Sequence, residues 1–177
     1  MLGGRRGLLP TFRGPARDGQ AQPAPVDTKL STGPILVPVG GNTAGPDGDD
    51  EVVRLACSLA KQMHARVIFL HVIQVPRTLP VDAELPEATQ RADALLSHAE
   101  EEAARQRVEA ETALAQAREI GPAIVNEAID RGAALVVLAI DPDRRSGSFH
   151  IGQIASYVLE HAPCTVIARR APLGEQP

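Results

Sequence analysis

The stretch from Ala134 to Arg170 limits the fold more than any other part of the chain. ALVVLAI (134–140) is a continuous apolar run rich in β-branched residues. Such a run suits a strand covered on both faces. DPDRRSGSFHIGQ follows it. Ile151, Ile154, Ala155, Val158 and Leu159 then recur at helical spacing and predict an inward stripe. Pro163 stops that helix, because proline cannot continue it. Cys164 to Ala168 is a second apolar strand. Strand, helix and strand in this order form a right-handed crossover in a parallel sheet. In such folds ligands bind at the connection before the helix, where backbone N–H groups of the first turn attract anions.

The chain before it repeats the alternation. Ile35 to Val39 is a first strand, with Pro38 placed near its end because proline lacks a ladder donor. Gly40-Gly41-Asn42 opens a loop, and Asp49 or Asp50 is expected to cap the next helix. Val52, Ala56, Leu59, Ala60 and Met63 give that helix one buried face. Arg66 to Val75 is nearly all apolar and reads as an internal strand. His71 within it reads as a packing residue, since no partner Ser or Asp is identifiable. A proline-rich loop, Pro76 to Pro86, carries solvated Asp82 and Glu84. Glu87 to Gln106 is a charged helix with a stripe of Ala88, Ala92, Leu95, Leu96 and Ala99. Its run Glu100-Glu101-Glu102 is a solvated face. Val108 to Gln116 alternates, with Val108, Ala110, Thr112 and Leu114 on one face and Glu109 and Glu111 on the other. That is a half-exposed edge strand. Pro122 opens a helix whose inward residues are Ile124, Val125, Ala128 and Ile129, and Gly132 ends it.

Composition narrows the class. Aromatic residues are only 2% of the chain, so the core is aliphatic, as a parallel sheet with helices on both faces requires. A net charge of −4 argues against a nucleic-acid binder. Cys57 and Cys164, far apart and outside CxxC spacing, read as buried small apolar residues in a reducing compartment, which places the protein in the cytoplasm. No apolar run approaches the roughly 18 residues of a membrane span. Residues 1–33 are rich in Gly, Pro and Arg and read as a disordered tail. Residues 34–171 form the domain, and 172–177 a frayed end. No metal-ligand cluster, GxSxG elbow, HExxH helix or Walker lysine is present, so no metal or enzymatic activity is expected. His150, beside the loop, reads as exposed rather than as a base.

Several segments resemble the universal stress protein (UspA) family over roughly residues 34–170: ILVPV, IFLHV, IGPAIVNEAIDRGAALVVLA and, most specifically, Gly152 followed by IASYVLEHAPCTVIARR. The resemblance implies an α/β fold, a doubly wound five-stranded parallel sheet of order 3-2-1-4-5 with helices on both faces, of the adenine nucleotide alpha hydrolase-like kind. It also implies a homodimer paired through the last strand, here 164–168. Many members bind ATP through G-x-x-G, nine residues, then G followed by Ser or Thr. Counted back from Gly152, these glycines fall at Ala139 and Pro142, and Gln153 stands where Ser or Thr is usual. The acid that contacts the sugar falls at Gly40.

These departures predict a chain that does not hold ATP in the family's manner. Pro142 removes a backbone donor, while Asp141 and Asp143 set negative charge beside the phosphate path. Such a chain would be a stress-response module acting by dimerisation and protein contacts, which could include a membrane transporter bound in trans. The alternative is an ATP-binding member with a rebuilt loop. There Arg144, Arg145, Ser146, Gly147 and Ser148 would replace the missing glycines, in a site that also takes in Gly40, Ala139, Gly152 and Gln153.

Overall fold

A computed structural model describes residues 32–40, 45–140 and 151–170. Five strands alternate with four helices: β1 (Ile35–Pro38), α1 (Gly45–Met63), β2 (Val67–Gln74), α2 (Pro86–Arg105), β3 (Ala110–Ala117), α3 (Ile120–Asp130), β4 (Leu135–Ile140), α4 (Gln153–His161) and β5 (Thr165–Arg170). The sheet is parallel throughout, in the order β3-β2-β1-β4-β5. This is the architecture that the sequence predicts.

Helices cover both faces because the strands are apolar on both. Ile35, Val37, Val67, Phe69, Leu135 and Val137 pack against α1 and α2, with Val52, Ala56, Cys57, Leu96 and Ala99. Leu36, Ile68, Leu70, Val136 and Leu138 pack against α3 and α4, with Ile124, Ala128, Ala155 and Val158. Full burial of one such side chain contributes about 1.5–3 kcal/mol. No polar or charged residue among those described is buried, so the charged chemistry lies at the surface.

Three expectations need correction. Helix α1 begins at Gly45, so Asp49 and Asp50 lie inside it rather than at its cap. Ile129 and Leu159, expected inward, are 56% and 45% exposed. Each follows directly on a buried residue, Ala128 or Val158, at the margin of the stripe. On β3 the two faces divide as expected, with Val108 and Ala110 packed on the α1–α2 side, but the face carrying Leu114 is not the better buried one. Ala113, Ala115 and Ala117 pack on the α3–α4 side, while Leu114 is exposed on the other. Glu111 is tied down by Arg66 at 3.1 Å and by Arg131, which also holds Glu127. The edge position of β3 agrees with its alternation.

Candidate functional site

The sheet order places β1 between β2 and β4, and the chain leaves β1 and β4 towards opposite faces. Their carboxyl ends therefore define the switch point at which open α/β sheets bind ligands. Pro38 shapes this point. Ile35 and Val39 donate to β2, at Arg66 O and Leu70 O, both at 2.9 Å. Alternation along the strand turns the Pro38 nitrogen towards β4, and there the β1–β4 ladder stops at Leu36–Val136.

Between the strand ends, the space walled by described residues on the α3–α4 side is narrow. Pro38, Leu70, Leu138, Ile120, Ile124 and Ile154 wall a crevice of about 20 Å³. That is the scale of a single water, against about 300–1,000 Å³ for ordinary ligand sites.

Gly40, just past β1, has φ of +71°, and a Cβ there would lie 2.6 Å from Leu95 Cδ1 and 2.7 Å from the Nδ1 of His71. Only glycine fits this crowded left-handed position. Its N–H donates to the Asp49 carboxylate at 2.7 Å. His71 Nδ1–H donates to the Val39 carbonyl at 2.8 Å, which fixes the tautomer and accounts for the residue as a packing group. Burial is the main cause that pushes the Asp49 carboxyl above its ordinary value. The Gly40 N–H opposes that shift, Asp50 adds to it, and His71 opposes it.

Beside Asp49, the Asp50 carboxylate meets His98 Nε2 at 2.8 Å and Arg54 at 3.8 Å. Asp49, Asp50 and His98 rim a cleft of about 180 Å³ whose apolar walls include Val39, Val53 and Leu95. Sequence reasoning did not place His98 here, because it lies 48 residues from Asp50.

The remaining expected site residues are dispersed. Ala139 is buried inside β4, opposite Arg169 of β5, and Arg169 pairs with Glu51 of α1. Gly152 precedes α4 with φ −51° and ψ 160°, and none of the described residues comes within 4 Å of where its Cβ would be. That backbone conformation does not require glycine. Gln153 opens α4 and lines a shallow groove of about 440 Å³ together with Gln74, Glu119 and Tyr157. The starts of α3 and α4 both lack a side-chain cap. At the floor of this groove Gly121 allows the two helices to approach, since a Cβ would lie 3.0 Å from that of Tyr157. Arg144, Arg145, Ser146, Gly147, Ser148 and His150 lie outside the described residues.

Arg118 is a further residue that the sequence did not mark. Its guanidinium donates to the carbonyls of Val75 at 3.2 Å and Leu79 at 2.6 Å, and to that of Pro76. Gln116 reaches Ala83 O at 3.3 Å. The loop between β2 and α2 is thereby fastened to the end of β3.

Of the two cysteines expected to be buried, Cys57 is and Cys164 is only half-buried. Cys57 is fully buried, and burial, with the Glu102 charge adding and Lys61 opposing, pushes its thiol up to about 11. Burial also raises the Cys164 thiol. No described helix is long and apolar enough to cross a membrane, and no cluster of metal-ligating side chains occurs among the described residues.

The sequence model of the Universal stress protein family matches residues 32–170. Among solved structures, a universal stress protein from Archaeoglobus fulgidus is 25% identical. The match has a TM-score of 0.65 and covers 78% of this chain and 98% of the other. A universal stress protein from the same organism, solved in complex with dAMP, is 23% identical with a TM-score of 0.61, covering 78% of this chain and 98% of the other. An Arabidopsis thaliana family protein with AMP bound is 15% identical with a TM-score of 0.57, covering 83% and 97%. The latter two share the fold. No curated protein matches the sequence.

Proposed function

The chain belongs to the universal stress protein family, and from that premise we propose that it is a non-catalytic, cytoplasmic stress-response module that does not hold ATP in the family's usual way. It works through dimerisation along β5 and through contacts with other proteins, and residues 34–171 form its working unit. The observation that supports this reading is the narrow crevice, about 20 Å³ among the described residues, between the carboxyl ends of β1 and β4 and helices α3 and α4. Gly40 strengthens it, because a side chain there, acidic or otherwise, would run into His71 and Leu95.

Calorimetric titration with ATP and magnesium, with AMP and GTP as controls, tests the proposal. No heat and no thermal shift are expected. Micromolar binding would overturn it.

A second reading, ATP bound through a rebuilt loop, draws on the start of α4, which has no side-chain cap. Nucleotides in the A. fulgidus and A. thaliana relatives favour it as well. If binding is found, Arg144→Ala with Arg145→Ala should abolish it. Stabilisation at a hundredfold excess over Kd should then be about 2.7 kcal/mol.

A further inference from the structure

We draw no further inference here: the strongest candidate, the cleft of about 180 Å³ between α1 and α2 that Asp49, Asp50 and His98 rim beside Leu95, is an acidic cluster over an apolar wall, and nothing in the structure points to what would fill it.

Discussion

The backbone N–H of Gly40 donates to the carboxylate of Asp49 at 2.7 Å, so the first turns of α1 are fastened to the end of β1. The carboxylate is half-buried, and burial raises its pKa. A raised carboxyl pKa means that the folded state binds the proton more tightly than the unfolded chain does. Stability from this group is therefore greatest at low pH. It falls as pH rises from the unfolded value, about 3.9, to the higher folded value, and is constant above that. Asp49→Asn keeps an acceptor and removes the titration. Urea unfolding of both proteins between pH 3.5 and 7 should show the wild type losing ground to the variant through the carboxylate range. Asp49→Ala leaves the Gly40 N–H without its acceptor and should cost about 1 kcal/mol. Identical pH profiles for wild type and Asp49→Asn would remove the account.

Gly40→Asp places an acid where nucleotide-binding family members carry one. We expect it to destabilise the protein by about 1–3 kcal/mol, because position 40 is left-handed and faces a His71 ring held by the Val39 carbonyl. Chemical denaturation measures the loss. Calorimetry on the same variant should show no gain of ATP affinity, and a gain would mean that the missing acid alone had closed the site.

Arg118 holds the carbonyls of Val75, Pro76 and Leu79. Arg118→Ala should speed amide exchange and proteolysis between Pro76 and Leu85 and cost about 1.5–3 kcal/mol. Arg118→Lys should not restore protection, since an ammonium lacks the planar fork that spans these acceptors. Unchanged exchange in the alanine variant would show that the loop is held by its own packing.

The proposed pairing through β5 is tested best at Thr165. Val166, Ile167 and Ala168 pack against the two core clusters, so a charge at any of them would damage the monomer too. Thr165 is exposed. Light scattering at micromolar concentration should give a dimer for the wild type and a shift towards monomer for Thr165→Lys, with Tm little changed. A wild-type monomer would exclude the interface.

The element order could be read from the sequence because hydrophobic periodicity is a local property. ALVVLAI, the α4 stripe and Pro163 each carry their own signal within a few residues. The same signal cannot set the margin of a buried stripe. Ile129 and Leu159 continue the pattern of Ala128 and Val158 yet face solvent, since the width of the covering surface depends on the neighbouring helix and strand. Of the expected binding residues, Gly40 proved structurally constrained for a reason no sequence pattern shows, the approach of Leu95 and His71.

By itself, then, the sequence determined an aliphatic parallel sheet in a β/α alternation, and the family resemblance supplied its strand order. Tertiary structure alone decided the rest: the Asp49–Gly40 bond, the Asp50–His98 pair, the grip of Arg118 on its loop, and the narrow crevice lined by Ile120, Ile124 and Ile154. The physical reason is separation along the chain. His98 lies 48 residues from Asp50 and Arg118 39 from Leu79, so these contacts exist only once the sheet has brought the elements together. A cavity volume, likewise, belongs to the packed set of side chains and to none of them singly.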